Sequence, residues 1–147
     1  MYRIELVLAS DVPRGVLEVL QYMLSGPRAQ LNIAIETPNH PLFGTPGWMR
    51  MFYHCAASSL KLRAGGTYRL AVRGESDSEE QDFGLFLRWL APYIRDSNRP
   101  RRIAVVRNKA RKQLACLNYF ICQGKIGTEF VDQPLLSINN FYVRAAA

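Results

Sequence analysis

Residues 2–9 alternate, with Tyr2, Ile4, Leu6 and Leu8 on one parity and Arg3, Glu5, Val7 and Ala9 on the other. That is the period-2 pattern of a strand with one well-buried face. Ser10 or Asp11 supplies an N-cap, and Pro13 falls in a first helical turn, where its missing N–H is no loss. Val16, Leu17, Val19, Leu20, Met23 and Leu24 follow at helical spacing, so residues 12–25 read as an amphipathic helix ended by Ser25-Gly26-Pro27.

From 26 to 48 the periodicity fails, because Pro27, Pro38, Pro41, Gly44, Pro46 and Gly47 interrupt everything except a short Leu31-Ile33-Ile35 alternation. From Met51 on, Phe52, His54, Ala56, Ser58, Leu60 and Leu62 share one face of an extended segment. Ala64-Gly65-Gly66 supplies a turn, and Tyr68, Leu70 and Val72 alternate again, which predicts a hairpin. Ser76, Ser78, Glu79 and Glu80 form a capped, dipole-matched start for a second helix. Its apolar stripe is Phe83, Phe86, Leu87, Leu90, Tyr93 and Ile94, with Trp89 at the edge and Pro92 ending it near 91–95. Ile103–Val106 and Leu114–Cys122 are further strands, joined by the polar link Arg107-Asn108-Lys109-Ala110-Arg111-Lys112.

The order strand, helix, strand, strand, helix, strand, with one strand appended, predicts an α+β fold of the ferredoxin-like, split βαβ class. In that plan an antiparallel sheet carries two helices on one face. Residues 1–147 read as a single domain, with 123–147 a C-terminal extension. Leu135, Leu136, Ile138, Phe141, Tyr142 and Val143 make residues 128–147 too apolar for a free tail, and they read as an added edge strand or a segment lying across the sheet.

Composition narrows the function. The chain has 147 residues, 48% hydrophobic and 21% charged, the profile of an ordinary folded domain. No apolar run is long enough to span a bilayer, and Arg3 and Glu5 interrupt the first apolar stretch, so the protein reads as cytoplasmic and without a membrane partner. Cys55, Cys116 and Cys122 form no CxxC pair, which fits a reducing compartment and free thiols. With His40 and His54 the two histidines, no metal-ligand spacing and no cofactor motif is present. His54 beside Cys55 on a strand points to the opposite face, and the nucleophile elbow, P-loop and dinucleotide motifs are absent. The residues therefore favour a binding module over an enzyme.

Charge supplies the first binding hypothesis. Arg99, Arg101, Arg102, Arg107, Lys109, Arg111 and Lys112 fall within fourteen positions, and no acid occurs between Asp96 and Glu129. Outside that segment the chain holds 12 basic and 12 acidic residues, so the +7 net charge is local in sequence. A basic hairpin of this kind fits an acidic protein partner. It also fits nucleic acid, with Tyr119 as a stacking surface, or a solvated turn that protects a sheet edge. Self-association through a sheet edge is a further reading. A separate candidate is a small-molecule pocket, or an enzyme site, built from His40, Phe43, Trp48 and His54, with the 38–48 loop as its wall; the favoured alternative is structural, with Phe43 and Trp48 tucked into the core, the prolines stiffening a long connection and His54 a core or boundary histidine.

His40-Pro41-Leu42-Phe43 with Trp48, and Phe86-Leu87-Arg88-Trp89-Leu90-Ala91-Pro92-Tyr93-Ile94 after a strand, resemble a group of small bacterial proteins with no established activity. The resemblance covers roughly residues 2–122 and rests on aromatic and proline-anchored packing motifs. It assigns no site residue.

Overall fold

A computed structural model describes residues 1–25, 39–52, 55–75, 80–95, 98–107 and 115–132. The predicted Leu31-Ile33-Ile35 alternation, the Ser76–Glu79 cap and the extension beyond Asp132 lie outside the described residues. The fold is α+β, with strands β1 (Tyr2–Leu8), β2 (Cys55–Leu62), β3 (Tyr68–Gly74), β4 (Arg101–Arg107), β5 (Ala115–Cys122) and β6 (Lys125–Asp132), and helices α1 (Arg14–Ser25) and α2 (Glu80–Leu90). The strands form one antiparallel sheet in the order β2-β3-β1-β4-β5-β6. This differs from the five-strand plan read from the sequence, because a sixth strand extends the sheet beyond β5.

The addition is β6, which follows β5 through the two-residue turn Gln123-Gly124. Both turn residues have positive φ, 51° and 74°, as a type I′ hairpin requires. Cys122 then faces Lys125, and pairing runs to Ala115 opposite Asp132. The predicted β2–β3 hairpin forms with Gly65 and Gly66 at positive φ. Its first strand starts later than the alternation implies: Met51 and Phe52 end a turn, and a register shift falls between Cys55 and Ala57.

One core serves the two helices and one face of the sheet. Tyr2, Ile4, Leu6 and Leu8 from β1, Leu70 and Val72 from β3, and Ala104, Val106, Leu117, Tyr119 and Ile121 from β4 and β5 all join it. From α1 come Val16, Val19, Leu20 and Met23, and from α2 Phe83, Phe86, Leu87, Trp89 and Leu90, the i, i+3, i+4 stripes that periodicity places inward. α2 stops where Ala91–Tyr93, with Pro92, tightens to a 3₁₀ turn. Past that turn, Arg95 N–H donates to Val7 O at 2.7 Å and Ala9 N–H to Tyr93 O at 2.7 Å, tying the helix exit to the end of β1.

Among the described residues, no helix is long and apolar enough to cross a membrane.

Candidate binding face

The loop that the sequence offers as a pocket wall is packed into an aromatic array. Phe43 sits edge-on to Trp48 at 4.9 Å and to Trp89 of α2 at 5.2 Å, and Trp48 also meets Tyr22 of α1 at 6.2 Å. The array continues from Trp89 to Phe86, Phe52, Tyr2 and Phe83, each tilted or edge-to-face as ring quadrupoles prefer. Trp48 is buried and Phe43 half-buried. His40 uses Nδ1 to accept a hydrogen bond from the Leu42 N–H at 3.1 Å, capping the 3₁₀ turn Pro41–Gly44. That acceptor role places the ring proton on Nε2. His54 lies outside the described residues. The structure thus brings Phe43 and Trp48 together, with His40 one turn away as a cap.

The basic segment is divided by its strand. Arg99 is exposed ahead of β4, and Arg101 is half-buried opposite Ile121. Arg102 is 5% exposed and donates through Nη1 to Asn118 Oδ1 at 3.3 Å. Arg107 is half-buried opposite Cys116. Lys109, Arg111 and Lys112 lie outside the described residues. Tyr119 turns to the helix side, 2% exposed, with its ring against Gly84 of α2. It presents no ring for stacking, and on the opposite parity stands Phe120, half-buried across from Arg102.

Strand register shows what the sequence order hides. Successive side chains of a strand point to opposite faces, so the face away from the core carries Arg3, Glu5 and Val7 of β1, Arg69, Ala71 and Arg73 of β3, and Ala57, Ser59 and Lys61 of β2. Arg102, Val105 and Arg107 of β4 share it, with Cys116, Asn118 and Phe120 of β5. Cations that are far apart in sequence therefore meet on one surface. Among the described strand residues the acids there are Glu5 and Glu129.

Two rungs of this polar face place like charges directly opposite each other: Arg3 faces Arg73, and Arg69 faces Lys61. Such a pair opposes folding, by on the order of 0.5 kcal/mol. Glu5 partly offsets it. Its carboxylate pairs with Arg69 and lies 3.9 Å from the Arg3 guanidinium. Arg69, Arg73 and Lys61 are exposed, and Arg3 is half-buried.

Towards β5 the same face is buried. Val105 and Cys116 pack together at 2% exposure each, beside the Arg102–Asn118 hydrogen bond. Burial pushes the Cys116 thiol above its ordinary range, against the opposing pull of Arg107, Arg102 and the N-terminal ammonium. Burial also lowers the Arg102 guanidinium, with Arg3 adding to the effect against the opposing pull of Cys116. The three cysteines are free. Among the described residues, His, Cys, Asp and Glu gather into no group of three or more that could hold a metal ion.

The polar phase of the strands was the available signal for Arg3, Lys61, Arg69 and Arg73, because their parity follows directly from the apolar alternation. Comparison with protein-family models, curated proteins and solved structures finds no match for the chain.

Proposed function

We propose that the protein is a non-enzymatic binding module whose polar sheet face engages an acidic protein partner. The observation that carries this reading is the convergence of Lys61, Arg69, Arg73 and Arg3 on one face, in two like-charged rungs that oppose folding. A sheet selected for stability alone gains by placing an acid at one member of each rung. Arginine supplies three of these four cations, and its planar fork matches carboxylates in paired hydrogen bonds.

An acidic protein fits better than nucleic acid. Binding of single strands draws on exposed aromatic platforms, and Tyr119 is buried in the core. Duplex reading by a helix needs one free to enter a groove, whereas α1 and α2 both pack into the core. On the fold, the β2-β3-β1-β4 part with α1 and α2 supports a ferredoxin-like, split βαβ reading, with the β5–β6 hairpin as an addition at the β4 side.

Titration with poly-L-glutamate and with oligodeoxythymidylate across a salt series tests the function. The proposal expects glutamate polymer to bind at low salt, to be released as salt rises, and to bind more tightly than the oligonucleotide. Absence of binding to the glutamate polymer at low salt, or tighter binding of the oligonucleotide, overturns it.

A further inference from the structure

Among the described strands the sheet has two edges, β2 and β6, and they are built differently. β2 carries a register shift between Cys55 and Ala57, the kind of irregularity that keeps an edge from pairing with another chain. β6 carries none: its eight residues pair with β5 without a shift from Lys125 to Asp132. Phe130, on its helix side, is 54% exposed. A long, regular edge of this kind is a template for a further strand.

The hairpin turn fixes which backbone groups of β6 face outward. In a two-residue hairpin the residues flanking the turn, here Cys122 and Lys125, exchange hydrogen bonds, and hydrogen-bonded and non-hydrogen-bonded pairs then alternate. Gly127 and Glu129 therefore direct their N–H and C=O groups to β5, whereas those of Ile126 and Thr128 point to the outer edge. On the polar face β6 presents Lys125 and Glu129, both exposed, with Gly127 between them. A Cβ added at Gly127 meets nothing within 4 Å, and its φ is not positive, so neither packing nor turn geometry among the described residues calls for glycine there. A glycine inside a strand often marks the close approach of another backbone.

We infer that β6 pairs antiparallel with β6 of a second copy of the chain, about a twofold axis at Gly127. In that register Ile126 and the partner's Thr128 exchange N–H···O bonds through their outward groups. Lys125 faces the partner's Glu129, and symmetry repeats the pair. Opposite charges directly across a rung attract. Sliding the strands by two residues sets Glu129 against the partner's Gly127 or the partner's Gln123 and loses both ion pairs. Sliding by one sets outward backbone groups against inward ones. One strand thus supplies both signs of charge in the order that pairing with itself requires. The twofold axis runs perpendicular to the sheet, so α1 and α2 of both copies lie on one side of the joined sheet and both cationic faces on the other.

Sedimentation equilibrium of the full chain, at up to about 100 μM, is expected to show a dimer. Lys125→Glu creates two like-charged pairs across the interface and is expected to weaken dimerisation roughly tenfold. Lys125→Glu combined with Glu129→Lys restores opposite charges and is expected to return the affinity to within about twofold of the unaltered chain. Thr128→Pro removes an N–H that β5 does not use, and is expected to leave a monomer with an unchanged circular dichroism spectrum. A monomeric unaltered chain overturns the proposal and leaves the edge to the chain's own residues beyond Asp132 or to a different protein. A dimer that Lys125→Glu does not weaken, or that the charge exchange does not restore, overturns it whether or not the proline variant folds. A folded Thr128→Pro dimer overturns it too.

Discussion

On the core side of β1, Tyr2, Ile4, Leu6 and Leu8 are 2%, 0%, 4% and 0% exposed. One position along the same strand, Arg3 and Glu5 belong to a surface where cations face cations across the rungs. The core face follows the usual stabilising rules: apolar burial, edge-to-face rings and helical stripes in register with the sheet. On the β2-β3-β1 half of the other face, two of three rungs break the cross-strand charge rule. Residues that neighbour one another in sequence thus follow different rules, stability on one side and, under the proposed function, recognition on the other.

That division can be broken by mutation, and the largest effect belongs to the core. Phe86 is fully buried and meets Phe52 at 4.9 Å. Phe86→Ala is expected to lower unfolding free energy by about 3–5 kcal/mol in urea titration, with poly-L-glutamate affinity unchanged under conditions where the variant stays folded. On the same side, the buried Tyr2 hydroxyl has no hydrogen-bond partner among the described residues. Tyr2→Phe is expected to raise stability by about 1 kcal/mol, the penalty of a desolvated, unpaired hydroxyl.

The same substitution changes the alkaline limb. Burial, with Cys55 nearby, pushes the Tyr2 phenol above its ordinary 10.0, so the unfolded chain ionises first. Stability from this group is complete below pH 10 and falls as pH rises beyond it. Cys116 behaves alike from its ordinary 9.0 upward. Urea midpoints measured from neutral to strongly alkaline pH should decline from about pH 9 in the unaltered protein. Tyr2→Phe should make that decline shallower above pH 10, leaving the part that Cys116 contributes.

A smaller gain is expected at Gly84, in the middle of α2. An added Cβ there meets the Tyr119 ring at 3.8 Å, ordinary contact, so Gly84→Ala should stabilise by about 0.5–1 kcal/mol in thermal or urea unfolding. The smallest stability effect belongs to the polar face. Arg73→Glu replaces a like-charged rung with an opposite one facing Arg3, and should gain a few tenths of a kcal/mol, roughly, while weakening poly-L-glutamate binding. A substitution that stabilises the fold and impairs binding is the signature of a residue kept for recognition.

Much of the core face was legible in the sequence because burial imposes strict periods. The Tyr2–Leu8 alternation and the Phe83, Phe86, Leu87, Leu90 stripe translate directly into faces. β6 was harder, since Gln123-Gly124 lacks the Asn-Gly or Asp-Gly signature of a two-residue hairpin, and Ile126, Thr128 and Phe130 are a weak apolar phase. The cationic sheet face was not legible in charge density along the chain. Arg102 and Tyr119, both within or near the basic run, are buried, whereas Arg3, Lys61, Arg69 and Arg73 come from three strands and share a surface only once register is known. Linear clustering reports neighbours in sequence, but a sheet makes neighbours at right angles to it.

Under the proposed function, location on the polar face, and not total charge, governs binding. Two charge reversals of equal size separate these: Arg73→Glu on that face, and Arg88→Glu on the exposed side of α2. Poly-L-glutamate titrations of both variants at low salt are expected to show an affinity loss of about tenfold for Arg73→Glu, on the scale of a lost charge-assisted contact plus repulsion, and little change for Arg88→Glu. Equal losses in the two variants would show that total charge, and not the polar face, governs binding.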